Sequence, residues 1–223
     1  MFFESVKDSD LKRELWKNII VVDNDVEKSA PRLVPLNEIL DTDIEAEVVH
    51  VGNEFNSYEF ASYNILSIYN EHELIRDDQY FMLHDTVLLQ HNFYEIISAF
   101  FDNKFKDKII QYEAPSSNIR IIGRKHVKEY GLQYDRPFTK EEAICLEIGE
   151  EITSFSVNDF YSFNEHEDTI CLGEAPRVGR KPIYTKSLRR RIILMEEFGL
   201  EKYVLFGWRN EFSDSQIERN ILY

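Results

Sequence analysis

Apolar and polar positions along the chain alternate between two periods, and the changes of period mark the expected elements. Asn18-Ile19-Ile20-Val21-Val22 is a β-branched run closed by Asp23-Asn24-Asp25, which predicts a buried strand and a polar loop. Ala46 to Val51 predicts a second strand, ended by Gly52-Asn53. From Ser57 to Tyr69 the apolar residues Tyr58, Ala61, Ile65, Ile68 and Tyr69 form a helical stripe, with Asn56 or Ser57 as its cap. Gln79 to Leu83 is aromatic-rich, too short for a helix, and preceded by Arg76-Asp77-Asp78, so it predicts a third strand. It breaks off at His84-Asp85-Thr86, and an amphipathic helix through Phe93, Ile96, Ile97 and Phe100 follows. Ile109–Tyr112 and Asn118–Ile122 predict two more strands, separated by Ala114-Pro115-Ser116-Ser117.

Shorter signals fill in the rest. Residues 8–17 start with capping residues and predict a short helix. Gly123 to Tyr130 predicts another, closed by Gly131. Thr139-Lys140-Glu141-Glu142 fits a capping box opening a helix through Ala143, Ile144, Leu146 and Ile148. Residues 156–163 continue in irregular or helical form, and Ser187 caps an expected helix over Leu188–Phe198 with Gly199 just past its end. No repeat or composition break divides the chain. The pattern predicts one α/β domain over residues 1–223, a mixed, mostly parallel sheet flanked by helices.

Composition narrows the class. With 223 residues, 43% hydrophobic and 13% aromatic, the chain can bury a sizeable core. No window approaches the roughly 18 continuous apolar residues of a membrane span. The opening Met1-Phe2-Phe3-Glu4-Ser5 lacks the basic and apolar regions of a secretory signal, so a cytoplasmic protein is expected. Cys145 and Cys171 cannot build a disulfide framework, and their apolar settings predict reduced core residues. The formal charge of −15 argues against an extended nucleic-acid surface. One stretch runs against it, with Arg177, Arg180, Lys181, Lys186 and Arg189-Arg190-Arg191 within fifteen positions.

The candidate chemistry centres on Asp85. Strand carboxyl ends converge on the ligand crevice in open α/β sheets. There Asp85 would offer a hard oxygen to Mn²⁺ or Mg²⁺, with the remaining ligands from diphosphate oxygens and water, and with His84 and Thr86 beside it. An HD-type phosphohydrolase would need His-Asp on a helix, against the strand-like run before it. The structural alternative makes Asp85 a turn cap and His84 a core residue. Asn56 and Glu59 open the helix after the second strand, where Glu59 either favours the helix dipole or faces the same crevice. Ser116-Ser117-Asn118 either touches a sugar or turns the chain. Glu147 is a candidate base toward an acceptor hydroxyl, or part of a solvated acidic face with Glu151 four residues on. Arg177 and Arg180 would neutralise a leaving diphosphate, or belong to a solvated or partner surface. No histidine pair has the H-x-x-x-H ligand spacing, and there is no G-x-G-x-x-G, Walker, G-x-S-x-G or Cys/His motif.

The order of segments resembles the small GT-A-type glycosyltransferase-like domains of bacteria and viruses. The likeness runs from Lys17–Val22 through Asn56–Phe60, Tyr80–Thr86 with Asn92-Phe93, and Ser117–Gly123, to Gly173–Arg177. It implies a Rossmann-related fold, a nucleotide-sugar donor and a metal held by a strand-end acidic motif, usually Asp-x-Asp. Here that motif reads Leu83-His84-Asp85, so Asp85 carries over and the first acid does not. The first strand of such domains is missing or replaced by Met1-Phe2-Phe3. The expected activity is metal-dependent transfer of a sugar from a nucleotide diphosphate to an unknown acceptor. The alternatives are an inactive GT-A-like binding or assembly protein and a metal-dependent phosphohydrolase.

Overall fold

The structure, a computed structural model, describes residues 2–24, 26–55, 60–83, 87–112, 119–139, 142, 167–173, 177–182 and 189–205, with backbone alone at 177–182, 189–192 and 203–205. The chain forms two compact units, one of Met1–Leu11, Leu83–Ala99 and Gly173–Tyr223, the other of Lys12–Met82 and Phe100–Leu172.

The second unit holds two sheets. In one, β1 (Ile20–Asn24) runs parallel to β3 (Glu47–Asn53), and β2 (Arg32–Pro35) pairs antiparallel on β3's other side. In the other, β4 (Gln79–Met82), β7 (Arg120–Gly123), β6 (Ile109–Gln111) and β8 (Thr169–Cys171) lie in that order, with only β6 and β8 adjacent and parallel. Helix α2 (Ala61–Ile68) buries Ala61, Tyr63, Ile65 and Leu66, and α4 (Arg124–Tyr130) buries Val127. Of these, Tyr63, Ile65, Leu66 and Val127 join Val49, Val51, Tyr80, Ile109 and Ile122 in one apolar core. Phe60, Tyr63, Tyr134 and Phe138 add a stacked aromatic cluster to it. Gln79 donates from Nε2 to the carbonyls of Phe100 (3.3 Å) and Phe105 (3.0 Å), tying the re-entering chain to β4.

The first unit is built on an antiparallel sheet of β5 (Val87–Leu89), β11 (Leu200–Leu205), β10 (Arg189–Met195) and β9 (Arg177–Pro182), in that order. Helix α1 (Phe2–Asp8) is fixed to β5 by Ser5, whose Oγ accepts from the Leu89 amide at 3.0 Å. Helix α3 (Phe93–Ser98) has its first turn capped by Asp10, which accepts from the amides of Tyr94 and Glu95.

The mixed α/β class stands, but among the described residues three sheets and few helices replace the expected single, mostly parallel sheet. Two of the eight described strand pairings are parallel, β1–β3 and β6–β8. The reason is connection length, since parallel neighbours need a crossover of a dozen or more residues. Only residues 196–199 join β10 to β11, so these must run antiparallel. The helix expected over 188–198 is instead β10 and a 3₁₀ turn, Glu196–Phe198. Gly199 does end that turn, with φ 63°, in the left-handed region that glycine adopts without strain. Met1-Phe2-Phe3 does not replace a strand, because Phe2 opens α1. Residues 8–17 yield only the end of α1 and a 3₁₀ turn from Arg13. Cys171 is exposed rather than core, because β8 is an edge strand; Cys145 lies outside the described residues. Thr139 and Glu142 make the reciprocal bonds of a capping box, amide to Oε2 at 2.8 Å and amide to Oγ1 at 3.2 Å. Among the described residues no helix is long and apolar enough to cross a membrane.

Candidate functional site

Strands β4, β6 and β8 run in one direction, each antiparallel to β7 or parallel to its neighbour, so their carboxyl ends share one edge of the sheet. Met82, Arg120, Gln111 and Cys171 stand side by side in the last common row. Arg120 and Gln111 are 5% and 3% exposed, on the face that Tyr80 and Ile122 turn to the core. A guanidinium this deep is retained only where its charge is answered. It acts on the aromatic cluster: burial pushes the Tyr134 hydroxyl far above its ordinary range, and Arg120 pulls it the other way. In sequence, β4 leads into His84-Asp85-Thr86, and Ser116-Ser117-Asn118 lies between β6 and β7.

A second row lies in the first unit, on the other side of Asp85 in sequence. Val87 opens β5 and is in register with Lys202 of β11, which faces Ile193 of β10, which faces Arg177 of β9. Val87 and Ile193 are apolar and buried, and Lys202 between them is 4% exposed.

The carboxyl ends of β1 and β3 form a third polar group. Asn53 donates from Nδ2 to Asn24 Oδ1 at 3.0 Å and to the Phe55 carbonyl at 2.6 Å. The buried His50 ring has Nε2 at 3.6 Å from the Asp23 carboxylate. The loop after β1 folds back over this end, with Ser29 Oγ accepting from the Gly52 amide at 2.8 Å. At the opposite end of the β4–β8 sheet a cavity of about 290 Å³ is lined by four cations and three carboxylates. Glu71 there binds Arg124 (2.7 Å) and Lys128 (3.1 Å), and Asp168 just behind binds Lys125 (2.6 Å) and Lys108 (2.8 Å), so most of these cations are already answered.

Of the residues singled out from sequence, Asn56, Glu59, His84, Asp85, Thr86 and Glu147 lie outside the described residues. Arg177 and Arg180 are both on β9, where Arg177 enters the row of Val87 and Lys202 and Arg180 falls where the register with β10 shifts. The run Arg189-Arg190-Arg191 belongs to β10, not to a helix. Among the described residues no group of three or more His, Cys, Asp or Glu is placed to hold a metal. Sequence reading passed over Arg120 and Lys202. Arg120 is a single charge inside the strand-like run Ile119-Arg120-Ile121-Ile122, whereas Lys202 stands beside Glu201 in Leu200-Glu201-Lys202-Tyr203-Val204. Comparison with protein-family models, curated proteins and solved structures finds no match to this chain.

Proposed function

We propose that this chain is a metal-assisted glycosyltransferase of GT-A-like design, moving a sugar from a nucleotide-diphosphate donor to an acceptor. One observation carries the reading: three strands of like direction end at one edge, and Asp85 follows the last residue of β4 by three positions. Strand carboxyl ends are where α/β sheets bind nucleotides. Asp85 holds the cation, Mn²⁺ or Mg²⁺, and His84 and Thr86 shape its surroundings. A single carboxylate fits this role, because the donor's own oxygens and water complete the ligand set. When bound, the cation supplies charge neutralisation for the departing diphosphate. Asn56 and Glu59 bear on the donor, Glu147 on the acceptor proton, and Arg177 and Arg180 on the diphosphate, each by its chemistry.

The test is release of nucleoside diphosphate from a panel of nucleotide sugars with Mn²⁺, in the wild-type chain and in Asp85→Ala. One donor should be turned over, and Asp85→Ala should lower kcat/KM at least a hundredfold, the scale of losing a principal electrostatic group. Donor binding without turnover, unchanged by Asp85→Ala, would mark a binding protein. Phosphate release from nucleotides without sugar transfer would mark a phosphohydrolase.

A further inference from the structure

The cavity at the amino ends of β4 and β6 is walled by backbone contacts as well as by side chains. The Arg124 amide, opening α4, donates to the Asp78 carbonyl at 2.9 Å, and the Gly123 amide donates to the Lys108 carbonyl at 3.1 Å. Gly123 lies so close to the turn before β6 that an added Cβ would stand 2.4 Å from the Lys106 carbonyl oxygen. Three stretches of chain are thereby locked around one cleft: the residue before β4, the turn before β6 and the start of α4. A cleft fixed in this way loses little freedom when a ligand enters it.

Its charges are shared unevenly. Glu71 alone answers both Arg124 (2.7 Å) and Lys128 (3.1 Å), and Asp168 behind it answers both Lys108 (2.8 Å) and Lys125 (2.6 Å). Two carboxylates thus serve four cations. Lys106 is a fifth, and its exposed side chain has no ion-pair or hydrogen-bond partner among the described residues. The remaining carboxylates of the lining, Asp78 and Asp107, accept no hydrogen bond among the described residues. The group as a whole carries one positive charge in excess, within a chain whose formal charge is −15. A cleft of that sign concentrates anions.

The unanswered groups define what fits. Lys106 and the two cations that share Glu71 call for an anion, while Asp78 and Asp107 are acceptors and call for donors such as hydroxyls. A bare anion would leave the carboxylates without donors, and a zwitterion would leave the excess positive charge unanswered. The volume, about 290 Å³, lies at the small end of ligand clefts, roughly 300 to 1,000 Å³, which limits the guest to a small metabolite. We infer that this cavity binds a phosphorylated sugar, its phosphate met by Lys106 and the cations of Glu71 and its hydroxyls by Asp78 and Asp107. The inference is independent of the transferase reading, and its test uses no nucleotide.

The experiment is calorimetric titration of the full chain, in low-salt buffer, with glucose 6-phosphate and ribose 5-phosphate, and separately with inorganic phosphate and glucose. At least one sugar phosphate should bind about tenfold more tightly than inorganic phosphate, and glucose should not bind. Lys106→Met should weaken the sugar phosphate by about ten- to a hundredfold, the scale of one charge-assisted contact. The double variant Asp78→Ala, Asp107→Ala should weaken the sugar phosphate yet leave inorganic phosphate bound at least as tightly. All three positions are exposed, so each variant keeps the fold, which a cooperative thermal transition verifies. A folded wild type that binds neither sugar phosphate, or a Lys106→Met chain that binds as before, would overturn the inference. Inorganic phosphate binding as tightly as the sugar phosphates, or a double variant that binds them undiminished, would remove the sugar from the assignment and overturn it too.

Discussion

Asp168 illustrates how single charges are used in this molecule. Its carboxylate accepts from Lys108 at 2.8 Å and Lys125 at 2.6 Å, and lies 3.5 Å from the fully buried His126 ring. The hydrogen bonds from Lys108 and Lys125 hold its carboxyl far below the usual carboxylate range. Its own main chain starts β8, because the Ile109 amide donates to the Asp168 carbonyl at 3.2 Å. The side chain thus fastens an edge strand to β6 and α4. Asp168→Asn should lower stability at pH 7 by about 1–2 kcal/mol, the order of a partly screened charge-assisted pair. Folding depresses this pKa, so the contribution is complete above the ordinary aspartate range near pH 4 and is lost as pH falls further. Urea unfolding of both proteins at pH 7 and pH 3 measures this. The difference should narrow at pH 3, and an equal difference at both would remove the charge from the explanation. Arg120 and Lys202 are the contrasting cases, each a cation placed inside rather than at a rim.

At the scale of elements, the ends of β1 and β3 are closed by backbone proximity. A Cβ added at Gly52 would stand 2.3 Å from the Glu27 carbonyl oxygen and 3.0 Å from Ser29 Oγ. The carbonyl belongs to the loop that folds back over the strand end, so it cannot swing aside as a side chain would. Gly52→Ala should destabilise by about 1–3 kcal/mol through overpacking. A thermal midpoint unchanged from wild type would show that the loop gives way freely. Strands β1, β3, β4, β6 and β7 were legible from sequence, because β-branched or aromatic runs ended in polar breaks. The stretch from Leu188 to Phe198 was not. Ile192, Ile193 and Met195 fit a helical stripe as well as a strand, and pairing with β9 and β11 decides the matter. Val87–Leu89 was too short to stand out, yet β11 recruits it through Leu200, Glu201 and Lys202.

At the scale of the whole molecule, the chain passes between its two units after Leu11, Met82, Ala99 and Leu172. The second crossing is followed in sequence by Leu83-His84-Asp85. The buried cations Arg120 and Lys202 are hidden from a reading of the sequence for a physical reason. Whether a charge in a strand-like run faces in or out depends on register with strands far along the chain. Arg120 is set by Met82 and Gln111, and Lys202 by Val87 and Ile193. The central claim is that Asp85 anchors a metal-dependent donor site. Thermal unfolding with Mn²⁺ and a panel of nucleotide sugars, in wild type and Asp85→Ala, tests it most directly. A donor at a hundred times its dissociation constant stabilises the folded state by about 2.7 kcal/mol, a shift of several degrees. The account predicts that shift with one donor, only when Mn²⁺ is present, and not in Asp85→Ala. A shift that persists in Asp85→Ala, or a cooperatively folded wild type that no donor stabilises, would contradict it.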